Sequence, residues 1–487
     1  MTTLTNNPSF INLDQSQSNA NYSLANASKA SLESTKSFTP PPVPPPHREG
    51  LQHFIPHSPS LPATAITATA ATQCAVFEED ADYLPSSSLE MATLAGKRRH
   101  ERLNSVNREF PSFTADNISR LREESKASKD SHQWLFFSRY LLEATKYLRT
   151  NPQDLKRTEE LKNNMEEEAF KLLKKLASHK VGCADAQFFL ADCYGNGLHG
   201  LKLDLDKAFT LYVQGSKLNH SECAYRTAAC YELGLGTKKN YKHALQFYRK
   251  AANLGNASAM YKLGMIILSG SIGQQKNPRE ALPWFLRAAQ IADEKHPHAL
   301  HELGLLYENL SNRIPSVIPD LDYARELFSQ AALLGYAPSQ FKLGWAYENG
   351  QLNCPTDPRR SIAWYSRAAE QNYADAELAL SGWYFTGAGD ILPQDDATAY
   401  LWAKKAAEKE LGKAEYAIGY FTEMGFGVPM NGKEAKFWYM KAASHGDQKA
   451  IHRLQVLEKM SQSIVKRRPT RNKNGKPDAK NSDCILM

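Results

Sequence analysis

Cysteine is scarce in this chain of 487 residues. The seven cysteines (Cys74, Cys183, Cys193, Cys223, Cys230, Cys354 and Cys484) show neither paired metal-ligand spacing nor a disulfide framework. That pattern fits a reducing compartment and excludes a small disulfide-stapled fold. Long apolar runs are missing too: no stretch approaches the roughly 20 apolar residues of a membrane span. Residues 1–30 are rich in Asn, Ser and Thr and lack the basic flank and apolar centre of a secretory signal. No Gly-rich phosphate loop, nucleophile elbow or paired-carboxylate motif is found. His296, His298 and His301 lie near Glu302, but Leu305 stands where a zinc-protease His-Glu-x-x-His helix needs its second histidine. The cluster reads as a turn between two structural units. Catalytic, cofactor-binding and metal sites are therefore all expected to be none, and the chain reads as non-enzymatic.

What is present is regular. Residues 1–125 read as a disordered Ser/Thr/Asn/Pro-rich region. Within it Thr39-Pro40-Pro41-Pro42-Val43-Pro44-Pro45-Pro46 favours polyproline II, as a spacer or an SH3-type ligand. Lys97-Arg98-Arg99-His100 reads as solvated charge rather than a nuclear signal. Residues 131–185 form N-terminal capping helices, the first carrying Trp134, Phe137, Tyr140, Leu141, Ala144 and Leu148 at helical spacing, the second Ala169, Leu172, Leu173 and Leu176.

From Ala186 the chain repeats itself. A small-x3-Leu-small-x2-Tyr half-unit starts at Ala186, Cys223, Ala259, Ala299, Ser339, Ala376, Ala414 and Ala450, at intervals of 37, 36, 40, 40, 37, 38 and 36 residues. A second half-unit, Ala-x3-aromatic-x2-Ala-Ala, recurs as Ala244/Tyr248/Ala251/Ala252, Ala281/Phe285/Ala288/Ala289 and Ala435/Tyr439/Ala442/Ala443, among others. These spacings put the small and aromatic residues on one face of a helix. Gly255, Gly335 and Gly446 sit three residues beyond the second Ala, where a left-handed helix terminus is expected. A period in this range is that of a helical solenoid. The fold class is all-α: a right-handed α-solenoid of TPR-like helix pairs with disordered N- and C-terminal tails. Residues 186–455 hold seven repeats plus a truncated capping repeat. Most Tyr and Trp residues, including Trp284, Trp364, Trp383, Trp402 and Trp438, are assigned to the core, with a minority left for the concave face.

Residues 456–487 form a basic tail. Five of the net +7 charges fall here: Lys466, Arg467, Arg468, Arg471, Lys473, Lys476 and Lys480 stand against Asp478 and Asp483. The remaining body is near neutral, which argues against nucleic acid, because phosphate contacts need a basic track. Cys484-Ile485-Leu486-Met487 is a C-a-a-X box whose Met favours farnesyl. The expectation is S-farnesyl cysteine methyl ester at Cys484, with Ile485, Leu486 and Met487 removed. One prenyl chain anchors weakly. The seven basic residues supply the second signal, about 1 kcal/mol each near an anionic leaflet. This implies a lipid-anchored peripheral protein on the cytoplasmic face of a membrane.

The helix-pair consensus resembles the Sel-1-like repeat. Several stretches outside that consensus resemble the fungal chitin synthase activator (regulatory subunit) family: Asp185–Tyr194, Met260–Met265, Pro297–Gly304, Asp357–Ile362 and Leu380–Tyr384. So does the order of disordered region, repeat array and prenylation box. The resemblance implies a non-catalytic subunit that binds and activates or localises a chitin synthase catalytic subunit during septum and cell-wall synthesis. It places the protein at the plasma membrane near the division septum, with septum or bud-site scaffold proteins as further partners. The alternative is a prenylated repeat scaffold for another cell-wall or signalling pathway, with no synthase partner.

Overall fold

The computed structural model describes residues 110–467 apart from 129, 149–154, 179–181, 309–313 and 315–316. The Pro-rich run, Lys97-Arg98-Arg99-His100, Arg468, Arg471, Lys473, Lys476, Lys480 and Cys484 lie outside the described residues. Among those described there are eighteen α-helices and no strand. None of the helices is long and apolar enough to cross a membrane.

Three helices precede the repeats: α1 (Ala115–Ala127), α2 (Ser131–Tyr147) and α3 (Leu155–Ala177). Helix α1 lies in a stretch that the sequence reading gave to the disordered region. Thr114 caps it by accepting from the Asn117 N–H. Ile118 and Leu121 pack on the cluster formed by Phe137, Leu141 and Leu173, and Arg122 holds Glu168 through two hydrogen bonds of 2.9 and 2.7 Å. Two apolar residues give too weak a periodicity to read from sequence, and tertiary contacts supply the rest.

The repeats alternate A and B helices. The A helices are α4 (Ala184–Asn196), α6 (Ser221–Leu233), α8 (Ala257–Ser269), α10 (His298–Glu308), α12 (Ala337–Asn349), α14 (Ala374–Thr386) and α16 (Gly412–Met424). The B helices are α5 (Leu205–Lys217), α7 (Tyr241–Asn253), α9 (Pro278–Gln290), α11 (Leu321–Leu333), α13 (Pro358–Glu370), α15 (Asp396–Ala407) and α17 (Gly432–Ser444). The last helix, α18 (Gln448–Arg467), occupies the truncated repeat and runs twelve residues past 455, so Lys466 and Arg467 close a helix. The described residues divide into two compact units, the first ending at Asp320 and the second beginning at Leu321. Within each, consecutive helices pack side by side.

Local chemistry explains the segmentation. Asp204, Asn240, Asn277, Asp357, Asp395 and Asn431 cap B helices, each side chain accepting from a first-turn N–H. Gly197, Gly234, Gly270, Gly350 and Gly425 end A helices in the left-handed region, at φ between 63 and 79°. Gly255, Gly335 and Gly446 take φ of 87, 89 and 83°, as their spacing predicts. Asn219, Asn372 and Glu410 make the same turn after α5, α13 and α15 without glycine.

The small residues that open the A half-units are all buried. Five positions further on, the A helix meets the core ring of its B partner. A methyl group on Gly264 would lie 2.8 Å from the Phe285 ring; on Gly344, 2.6 Å from Tyr365; on Gly419, 2.7 Å from Tyr439. Each ring therefore rests on bare backbone and is removed from water, contributing about 2–3 kcal/mol. Helix α15 departs from this pattern: Ala403 replaces the ring, and Ser381 stands opposite, donating to the Ala399 carbonyl at 2.7 Å.

Candidate partner-binding face

The five named tryptophans are half-buried rather than core, correcting the assignment made from sequence. On the B helices the core residue is the one that follows: Phe285, Tyr365, Ala403 and Tyr439. Trp284, Trp364, Trp402 and Trp438 lie one position earlier, turned to the side. A cation three residues on covers each ring: Arg287 at 5.1 Å, Arg367 at 4.8 Å, Lys405 at 5.0 Å and Lys441 at 5.4 Å.

Two buried carboxylates tie A to B helices in the second unit. Glu377 on α14 pairs with Lys405 at 3.1 Å and with Lys409. Glu415 on α16 pairs with Lys441 at 3.0 Å and His445 at 2.7 Å. Glu232 on α6 accepts from Tyr248 of its B partner α7 at 2.5 Å and pairs with Lys262 of the next A helix, α8, at 3.2 Å. Glu423 accepts from Tyr439 at 2.7 Å and from Arg453 Nε at 3.0 Å. Burial raises the Glu423 carboxyl, but those bonds outweigh it and hold it below the ordinary glutamate range. All these charges are spent on structure.

A strip of the A helices, at the third, fourth and seventh positions counted from the small residue, stays partly exposed except at Ala229 on α6 and at His301 and Glu302 on α10. In the first unit this strip mixes rings with paired charge: Phe188, Tyr225 and Tyr261 hold the third position, while Arg226 bonds Glu222 at 3.2 Å and Lys262 bonds Glu232. In the second unit it is mostly apolar. It runs through Phe341, Lys342 and Trp345 on α12, then Leu378 and Gly382 on α14, then Tyr416 and Tyr420 on α16, all partly exposed. Lys342 Nζ sits 4.4 Å from the Trp345 ring centre. Burial pushes the Tyr416 and Tyr420 hydroxyls above the ordinary tyrosine range. Gly382 occupies the register position of Trp345 and Tyr420, and apart from its chain neighbours and the backbone of its own helix no atom lies within 4 Å of where its side chain would start. The strip thus has a notch at its middle helix. Half-buried rings around a vacant small position can receive an apolar side chain of an extended segment.

No acid–base or nucleophilic constellation is assembled among the described residues. His296 bonds Asp293 at 2.7 Å, the His298 ring lies tilted against Tyr261 with centroids 5.5 Å apart, and His301 and Glu302 are buried. No group of three or more His, Cys, Asp or Glu among them is arranged to hold a metal. Cys183, Cys193, Cys223, Cys230 and Cys354 are buried free thiols, and burial pushes Cys193 and Cys230 up to about 12, so they pack as small apolar residues. A hollow of about 480 Å³ beside Lys174, Tyr194 and Lys207 contains no reactive pair.

A family model, the Sel1 repeat, matches residues 184–220, 221–256, 257–293, 297–336, 337–373, 374–411 and 412–447. Over 303 residues the chain is 37% identical to chitin synthase regulatory factor 3 of Schizosaccharomyces pombe, covering 62% of this chain and 32% of that protein. Over 368 residues it is 34% identical to the chitin synthase regulator SKT5 of Saccharomyces cerevisiae, covering 73% and 52%. The chain thus spans about a third and about half the length of these relatives. Among solved structures it is similar to a protective antigen of uropathogenic Escherichia coli with an SLR fold, at a TM-score of 0.53 and 21% identity, over 70% of this chain and 67% of that one. That likeness concerns the fold alone.

Proposed function

Since the chain belongs to the Sel1 repeat family, whose repeats cover more than half of it, we propose that it is a non-catalytic adaptor that binds a chitin synthase catalytic subunit and activates or localises it in septum and cell-wall synthesis. The observation that carries this reading is the similarity to two proteins named as chitin synthase regulators. The apolar strip of the second unit gives the reading a physical site: Trp345, Gly382 and Tyr420 receive a segment of the synthase. Cys484 and the basic residues from Lys466 to Lys480 hold the adaptor on the cytoplasmic face of the plasma membrane.

Filling the notch tests the site. Gly382 is an α-helical residue with free space around it, so Gly382→Leu raises helix propensity by roughly 0.5–1 kcal/mol and leaves the array folded. Its expected effect is loss of synthase from affinity purifications, with lowered chitin content in cells. Full synthase recovery with a Leu at 382 would remove this strip as the docking site. Recovery of signalling proteins and no synthase by the unaltered chain would remove the synthase reading itself.

A further inference from the structure

Helix α17 carries two large exposed apolar residues on its outward face, where α7, α11 and α13 are polar or small and α15 has one, Leu401. Phe437 is 55% exposed and Met440 50%, and Met430 in the loop before them is 73% exposed. In helices α7, α11 and α13 the residues in register with Phe437 are Gln246, Glu326 and Ala363, and with Met440 they are Arg249, Ser329 and Ser366. Lys433, Lys436, Phe437 and Met440 stand at i, i+3, i+4 and i+7, one face of the helix. Both lysines are exposed. The opposite face, through Ala435, Tyr439 and Ala442, is buried and holds the helix in place, so the outward residues are not needed for folding.

We propose that this face docks on an anionic bilayer surface, with Phe437, Met440 and Met430 seated among the acyl-chain roots and Lys433 and Lys436 against lipid phosphates. The proposal rests on the membrane location proposed above and adds the folded array itself to the contact. Charge decides the occupant. The apolar patch is flanked by lysines, and helix α18 leads directly into Arg468, Arg471, Lys473, Lys476 and Lys480. Large apolar side chains next to clustered lysines are the composition of a helix lying in the lipid interface. The lysines reach the headgroups while their stems stay apolar.

The test uses the full chain carrying Cys484→Ser, so that no prenyl group contributes, in flotation with phosphatidylcholine vesicles with and without phosphatidylserine. The expected result is binding that requires phosphatidylserine and falls about tenfold in the chain that also carries Phe437→Ser and Met440→Ser, the loss that shedding two interfacial apolar side chains produces. An unchanged thermal midpoint confirms that the comparison is between folded proteins. Equal binding by the two chains overturns the proposal. So does absence of vesicle binding by the parent chain, which hands this face to a protein partner. The tether through Cys484 fails on a different result: membrane fractionation in cells that Cys484→Ser leaves unaltered.

Discussion

Glu410 holds a left-handed backbone at φ 61°, where the equivalent turns after α7, α11 and α17 use Gly255, Gly335 and Gly446. A side chain at that angle crowds its own carbonyl and costs roughly 1–2 kcal/mol, partly offset by glycine's greater freedom in the unfolded chain. Glu410→Gly is expected to stabilise the protein by about 0.5–1 kcal/mol, read as a higher denaturant midpoint with unchanged slope. A lower midpoint would show that the Glu410 side chain has a role beyond the turn. Sequence spacing alone located the turn positions that glycine fills. It could not reveal that Glu410 shares them, since nothing in glutamate signals a positive φ.

At the scale of helices, the periodic small residues and rings were legible because burial acts on residue type directly. Ala244, Tyr248 and Ala251 show the period unaided. Helix α5 was harder to read, because Gly215 and Ser216 stand where the consensus has two alanines, and α15 because Ala403 stands where it has a ring. The carboxylate ties were not legible at all: nothing in the sequence marks Glu377 and Glu415 as buried, because folding alone places their cations. The Glu423–Arg453 tie joins α16 to α18 and has a pH signature. Its carboxyl is held below the usual glutamate value of 4.5, so its stabilisation is complete above that pH and is lost as pH falls through the lower folded-state value. Arg453→Met is expected to cost about 1–2 kcal/mol at neutral pH, the worth of a charged hydrogen-bonded pair, and less at pH 3. Urea unfolding at the two pH values reads the difference, and an equal loss at both would assign it to packing.

For the molecule as a whole, binding and location are separable. Cys484→Ser is expected to move the protein from the membrane to the soluble fraction of a lysate while the array still captures synthase in detergent extracts. Gly382→Leu is expected to do the reverse. A Cys484→Ser chain that stays with the membrane would place its anchor elsewhere. The recurring helix pairs and the basic tail were plain in the sequence because both are statements about composition and period. The notch at Gly382 was hidden, because a helical glycine reads from sequence as close packing, and only the surroundings show that the space is open.

The ring-on-glycine contact also constrains how such arrays change over time. Tyr365 lies where any side chain on Gly344 would sit, and Ala403 leaves room that Ser381 fills with a hydroxyl bonded across to α15. Neither member of such a pair is free to drift by itself. A ring arriving at 403 would collide with Ser381, and a methyl arriving at 344 would collide with Tyr365. At these contacts variation is therefore expected in coupled pairs, two positions on facing helices exchanging volume in the same step, whereas in the first two helix pairs Ala191 and Ala228 already stand at that position beside Tyr212 and Tyr248.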